Sequence, residues 1–485
     1  MKVLKGLLIG VSVCFTLLVF LLFNVFKLPV PPKTVSSNFV LRDVSIINPL
    51  VSKTKVASLR VSNGNMSLSR VNKNADELED KYVGTFILPG LINMHSHSPS
   101  KNLLNLGPMF GLAAVMHGVT TWRDAIDADG TGVTALREQI ANRKWPTPQV
   151  VACALITKGE TRWPNSNILK QAKDAITLVK SLKQRGYDCI KSYENLSIDL
   201  IAAIKQASKE EGMHVIGHVP DGLTIEQAGL PDTQHFFGVP NTQHNGVIER
   251  NGDWRTVNTQ RIQDVTDHII SEGMINTPTL VTLKQIQEYS DYNSALANEN
   301  YHYIPQFYLE TVWNPIEGLP VYRNLGRDVI TRAKEALEKK QTLLKQLHEQ
   351  GATLNLGTDT QQPFVVPGFA MWQEMRLFEE AGLTPEEVWA HATWKAQRQL
   401  ARESNGLLET GSEATFLIFS EDPTLTLDAL SSLKAVVLRG QLYDIADLKS
   451  AMKNLQTHYE DEPMKFISQY FVERAMKKIA QKFTH

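Results

Sequence analysis

The chain has 485 residues, beyond the size at which one hydrophobic core stops growing, so a large domain with a smaller companion is expected. Its 50 basic and 51 acidic residues leave a formal net charge of −1, which gives nucleic acid no basic face to bind, and 42% hydrophobic with 21% charged residues is an ordinary globular composition. Cys14, Cys153 and Cys189 have no metal-site spacing and imply no disulfide framework.

The first element is the apolar run Gly6 to Phe26, which as a helix is about 30 Å long and matches the thickness of a bilayer. Lys2 and Lys5 give it the positive start of a signal peptide, but no small-x-small cleavage site follows before Lys27. It therefore reads as an uncleaved transmembrane helix, with the body exported across a bacterial inner membrane by precedent; cleavage would instead leave a secreted or periplasmic protein. Val13 beside Cys14 argues against a lipoprotein site. Lys27 and Lys33 balance Lys2 and Lys5, so charge does not set the orientation. Leu28 to Thr34 is Pro-rich and reads as a stiff spacer, closing an anchor segment of residues 1–33.

Short β-like runs follow from Asn38, with an Asn63-Gly64 hairpin signal, and return at 414–419 and 433–444. They predict a small composite β-sandwich-like domain built from residues 34–88 and 404–445. Between them, over 89–403, eight β-like runs alternate with helical patterns: ILPGLINMHSH, VTTWRDA, PQVVACALI, YDCIKSY, MHVIGHV, DTQHFFGV, INTPTLVT and ATLNLGTDT. That alternation predicts the α/β class and a (β/α)8 TIM barrel. Ser197 to Glu211 illustrates the helices, with Ser197 as cap, Gly212 as stop and Ile198, Ile201, Ile204 and Ala207 at helical spacing. A Tyr-, Asn- and Trp-rich stretch at about 284–324 interrupts the pattern as a lid-like insertion. Residues 446–485 form a helical tail, and Pro463 to Phe483 reads as a basic amphipathic helix that packs on the body or lies on a membrane surface.

Catalytic groups of a barrel project from the C-terminal ends of its strands. His95 and His97 end the first run, Lys191 the fourth and His218 the fifth; His235 lies in the sixth and Asp359 ends the eighth. Alternate strand residues share a face, so His95 and His97 point the same way and can hold one ion. Any one of these alone is more often a hydrogen-bonded histidine or a solvated charge. Six ligand-type residues at five of the eight strand ends form a set, and leaving such charges uncompensated there is costly. Tyr193 shares a strand face with Lys191 and is a candidate to bind an oxyanion, although packing is the simpler role. His117 and His391 read as structural, His244 as a loop residue, and Arg123 with Asp124 as an ion pair or a substrate contact.

PGLINMHSH, IKSY, GHVP with a histidine seventeen positions on, and LGTDT resemble, in that order, the amidohydrolase superfamily in its two-metal branch near prolidase-like and imidazolonepropionase-like enzymes. HGVTTWRDA and the helix EEAGLTPEEVWAHATWKAQRQLA extend the likeness, which covers roughly residues 38–443. It implies two divalent metal ions, with His95, His97 and Asp359 on the more buried one and His218 and His235 on the other. Lys191 would bridge them after carboxylation of its amine by CO2, since an ammonium repels cations and a lysine in a cationic, dry site has the depressed pKa that carboxylation needs. Zinc suits this donor set; manganese, cobalt or iron could also fill it.

The implied chemistry is hydrolysis of an amide-type C–N bond by a metal-bridging hydroxide, with Asp359 as general base and then general acid. The expected substrate is a small peptide-like, N-acyl or cyclic amide. Two other functions compete: a one-metal deaminase or cyclic-imine hydrolase, and an inactive membrane-tethered binding protein. Deaminases of the superfamily generally lack the strand-four lysine, which is present here. A homo-oligomer is left open. Thr415 stands where the family has Asp before the last β runs, and the insertion Tyr289 to Asn324 separates this chain from its relatives' substrates.

Overall fold

The computed structural model describes residues 25–482, apart from 52–53, 70–79, 103, 143, 162, 244–245 and 401–403. The expected transmembrane run lies almost entirely outside the described residues, as does His244. Among the described residues no helix is long and apolar enough to cross a membrane.

The first strands are β1 (Phe39–Ile46), β2 (Lys55–Ser62), β3 (Asn65–Ser69) and β4 (Phe86–Pro89). β2 and β3 form a hairpin on Asn63 and Gly64, which adopt φ values of 52° and 80°. Two consecutive left-handed residues are what a two-residue hairpin turn needs, and Asn-Gly provides them with little strain.

The central strands are β5 (Leu91–Ser96), β6 (Val119–Asp124), β7 (Gln149–Thr157), β8 (Asn167–Ile168), β9 (Cys189–Ser192), β10 (His214–Gly217), β11 (Asp232–Gln234), β12 (Ile275–Thr277) and β13 (Thr353–Leu354). The chain then returns to the small domain as β14 (Phe416–Phe419), β15 (Leu433–Leu438) and β16 (Gln441–Asp444). One continuous seven-stranded sheet, in the order β16-β15-β14-β4-β1-β2-β3, therefore takes strands from both ends of the chain. Apolar side chains from all seven strands pack into a core of its own, including Leu41, Leu59, Met66, Ile87, Phe416, Val437 and Leu442.

The other sheet is parallel and runs β13-β12-β11-β10-β9-β7-β6-β5, with β8 as a short extra partner of β7. It curls as in a TIM-like barrel: Met94 N donates to Leu356 O at 2.8 Å and Asp359 N to His95 O at 2.8 Å, which brings the segment after β13 against β5. All eight predicted runs contribute strands. The first of them divides in two, because β4 belongs to the small sheet and β5 to the parallel one. Gly90 makes that hand-off, since a Cβ there would lie 2.0 Å from Thr120 Oγ1.

The cysteine expectation needs correction. Cys153 and Cys189 form a disulfide, because β7 and β9 are neighbours and these two residues are direct register partners, 4.3 Å apart at Cα. Sequence spacing cannot show which strands adjoin.

The insertion after β12 folds into short helical turns around a cluster of Tyr289, Tyr292, Tyr301, Trp313, Tyr322 and Phe364. The chain ends in helices Ile445–Glu460 and Met464–Lys482.

Candidate metal centre

The strand ends bring the six predicted ligands into one region of the curled sheet. His97 Nε2 lies 2.8 Å from Asp359 Oδ1 and His95 Nε2 lies 3.3 Å from the same oxygen. His218 Nε2 and His235 Nε2 are 3.1 Å apart, and the His95 and His235 rings are 4.6 Å apart. Metal-capable atoms of His95, His235 and Asp359 all lie within 4.8 Å of one another.

Local backbone explains the convergence. Ile92 and Met94 pack in the floor cluster, whereas His95 and His97 line the cleft above it, so alternation breaks where the β5–β6 register shifts between Asn93 and Ser96. Asp359 and His235 both sit in the left-handed region, at φ 56° and 64°. Strain of this kind costs on the order of 1–3 kcal/mol per residue and persists only where the surroundings enforce it. Gly357 lets the Asp359 segment approach, since a Cβ there would lie 2.7 Å from His95 Cβ.

The imidazoles share a second feature. His95 Nδ1 lies 2.6 Å from Gln234 Oε1, and Gln234 Nε2 is spent on Asp232 Oδ1 at 2.5 Å, so His95 must be the donor. His235 Nδ1 faces Thr279 Oγ1 at 2.5 Å, whose own proton goes to Pro278 O. His218 Nδ1 faces the Glu194 carboxylate at 3.2 Å and His97 Nδ1 faces Ile126 O at 3.4 Å. With each Nδ1 facing an acceptor, all four Nε2 atoms are turned inward, which is the arrangement metal-binding imidazoles use.

Charge follows the same plan. Burial lowers His95 to about 4 and pushes His235 well below its usual value, so both are neutral at physiological pH. Burial, the largest influence on His97, opposes its charge, but the hydrogen bond to Asp359 together with the charges of Asp359 and Asp124 raises it overall. Burial alone would raise Asp359, yet its bonds to His95 and His97 hold it well below the carboxylate range. Lys191 is fully buried, and burial lowers it to about 7. Its Nζ has no hydrogen-bond partner among the described residues. A buried amine with nothing to bond is costly as it stands.

These observations fit a bound divalent pair. The donors are imidazole nitrogens and one carboxylate, and the amine in their midst is of the kind that CO2 can convert into a further anionic ligand.

Tyr193 is buried and lines the same cleft; its oxygen accepts from Trp163 Nε1 at 2.8 Å and its ring lies 5.2 Å from that of His218. Arg123 pairs with Asp232 at 2.7 Å rather than with Asp124, because β6 turns Arg123 into the interior, where Asp232 of β11 meets it. Asp124 instead accepts from Ser98 N at 2.7 Å, and burial raises it to about 7. His117 and His391 are buried away from the cleft and bond backbone oxygens at 2.8 Å, as structural residues do.

Several residues of the site carry no sequence signal. The cleft is also lined by Arg250, Tyr322 and Gln362. Arg250 bonds Glu194 at 3.1 Å, and Tyr322 of the insertion donates to Gln362 at 2.8 Å. Lys340, fully buried, donates to His235 O at 2.8 Å and Asn251 Oδ1 at 2.7 Å, tying the ligand strand to its own loop. Loop 240–258 and the helix Arg327–Glu349 show no motif that could have pointed to these contacts.

Known structures share this architecture at low identity. A bottromycin amidohydrolase superposes with a TM-score of 0.67 and 20% identity, covering 90% of this chain and 92% of that one. An Xaa-Pro dipeptidase with methionine in its active site gives 0.60 and 17%, covering 84% and 100%, and the A. niger ochratoxinase gives 0.57 and 15%, covering 84% and 96%. No curated protein sequence matches the chain. The amidohydrolase family pattern itself spans residues 86–453, from the strand before the His-Ser-His pair to the first C-terminal helix, and the chain belongs to that family.

Proposed function

We propose that this amidohydrolase is a two-metal enzyme that hydrolyses an amide-type C–N bond of a peptide-like, N-acyl or cyclic amide, within a complete (β/α)8 barrel. The observation that carries the reading is the convergence of four imidazole Nε2 atoms and Asp359, within reach of the charge of buried Lys191, whose amine has no hydrogen-bond partner among the described residues. His95, His97 and Asp359 would hold one ion and His218 and His235 the other, with carboxylated Lys191 as the shared ligand. Zinc fits these donors. Bound divalent ions supply Lewis acidity and lower the pKa of water.

The protein's own groups supply the rest. Asp359 is ionised and takes a proton from the attacking water, then delivers it to the departing amine nitrogen. Tyr193, oriented by Trp163, faces the carbonyl oxygen of the substrate. Arg250 adds a cation to the wall of the cleft, which suits a substrate bearing a carboxylate, such as a dipeptide or an N-acyl amino acid. Structural neighbours whose names include an amidohydrolase and an Xaa-Pro dipeptidase favour the same bond type.

The apolar run Gly6 to Phe26 would anchor the chain with its barrel exported, and the Cys153–Cys189 disulfide suits an oxidising compartment.

Metal analysis tests the bridge. Lys191→Ala is expected to lose both metal and activity, with partial rescue by a short carboxylic acid; unchanged metal content contradicts the bridging role, and a single tight metal without carbamate in the wild type favours a deaminase-like site. A panel of dipeptides, N-acyl amino acids and lactams, with metal and bicarbonate supplied, tests the reaction. No turnover of any member contradicts hydrolysis and favours a binding protein.

A further inference from the structure

The last helix, Met464–Lys482, has two working faces. Met464, Ser468, Val472 and Met476 recur every four residues and are buried. That row packs on helix Ile445–Glu460 and on Gln306–Thr311 of the insertion. The remaining surface is turned outward, and on it Phe466, Tyr470 and Phe471 are 68%, 51% and 41% exposed.

Phe466 and Tyr470 lie one turn apart and Phe471 adjoins them, so the rings form one patch rather than scattered singles. The next turns present Arg474, Lys477 and Lys478, all exposed, with Glu473 the acid among them. Glu460, Asp461 and Glu462 precede the helix, so its positive end is the C-terminal half. Aromatic rings beside a cluster of cations are the composition of a helix that lies in a membrane interface, rings at headgroup depth and ammonium groups on lipid phosphates.

We propose that this outward face seats on an anionic lipid bilayer. The chain's own layout favours a bilayer as the occupant. The apolar run Gly6 to Phe26 lies outside the described structure except for Val25 and Phe26, which pack against the main core of the body. The spacer joins the body at β16, through Val35 N to Leu442 O at 2.8 Å and Leu442 N to Ser36 O at 2.9 Å. From Val35 back to Phe26 an extended chain reaches at most about 30 Å. From β16 forward, helix Ile445–Glu460 spans about 24 Å and then delivers Met464. The apolar run and the aromatic face are therefore both tethered to β16 by short connections, so a bilayer that holds the first is linked to the second through one strand. The charge completes the match, since each basic side chain near an anionic surface strengthens binding about five-fold.

The full-length chain is used for the test, with Cys14→Ser and either Phe466→Cys or Phe471→Cys carrying an environment-sensitive fluorophore; the buried Cys153–Cys189 pair does not label. Ile198→Cys, on an outer barrel helix, is the control. In vesicles of phosphatidylcholine with one quarter phosphatidylglycerol, the labels at 466 and 471 are expected to blue-shift and brighten, the control to stay as in water, and Lys477→Glu/Lys478→Glu to reverse the change. Labels that remain water-like in those vesicles overturn the proposal. So does an equal change in pure phosphatidylcholine, which would remove the role of the cations. A change in detergent without lipid that grows with protein concentration assigns the face to a second copy and overturns it too. None of these outcomes bears on the metal site, so the hydrolase reading stands or falls separately.

Discussion

The two ends of the parallel sheet are built on opposite principles, and β9 shows both within three residues. Cys189 at the floor is locked to Cys153 and packed among Ile92, Met94, Val151 and Ile216. Lys191, on the same face two residues further, is equally buried but has no hydrogen-bond partner among the described residues. The floor is apolar or paired: among the described residues its deep charges Arg123 and Asp232 meet at 2.7 Å, and Arg123 also donates to Met94 O at 2.8 Å. The rim collects left-handed backbone at His235 and Asp359 and a convergence of ligand-type side chains. Buried pairing is concentrated at one end of the strands and the candidate site at the other, with Gln234 linking the Arg123–Asp232 pair to His95.

Breaking the floor should therefore hurt folding most. Arg123→Met takes the guanidinium from the buried Asp232 carboxylate and leaves it only Gln234 and His214, which is expected to destabilise by about 3–5 kcal/mol in denaturant unfolding. A loss well under that figure would mean the floor is not a paired network. Removing the disulfide with Cys153→Ala/Cys189→Ala is the next largest change, about 2–4 kcal/mol for a closed loop of this size. The same measurement under reducing conditions should give the wild type a similar loss.

The rim should respond in the opposite sense. Lys191→Met replaces an unpartnered buried amine by an apolar chain of similar length, so the metal-free protein is expected to gain about 1–3 kcal/mol while metal binding disappears. A metal-free variant less stable than the metal-free wild type would show that Lys191 contributes to folding and would blur the contrast between the two ends.

How much of this was legible in the sequence follows the same division. The rim's candidates are legible because ligand-type residues recur at the strand ends: His95, His97, Lys191, His218, His235 and Asp359 stand out in the sequence, and the fold brings them into one region. The floor is not, because its logic is lateral. Cys153 with Cys189, and Arg123 with Asp232, are pairs between strands distant in sequence, and a single sequence carries no record of which strands adjoin. For the same reason Arg123 was matched to its chain neighbour Asp124. Glu194, Gln234 and Thr279, which fix the histidine tautomers, are common polar residues made specific only by their distance to a ring.

The smallest expected effect comes from a histidine that belongs to neither end. His117 is buried against Trp372 and Tyr303, and burial lowers it to about 4 from 6.5. The folded chain thus keeps it neutral where the unfolded chain already takes a proton. Because the folded value is depressed, its stabilising contribution is fully present above 6.5 and is lost as pH falls toward about 4. By about pH 5.5 the loss should be about 1 kcal/mol, on the scale of 1.36 kcal/mol per pKa unit. His117→Gln keeps a polar side chain near Ala113 O without the titration, so its thermal midpoint should fall less between pH 6.5 and about 5.5 than that of the wild type. Parallel curves would show that acid acts on the protein elsewhere. The neutral imidazoles of the rim then become the first groups to test, and metal loading should separate them from His117, since bound metal would protect the rim and leave His117 unchanged.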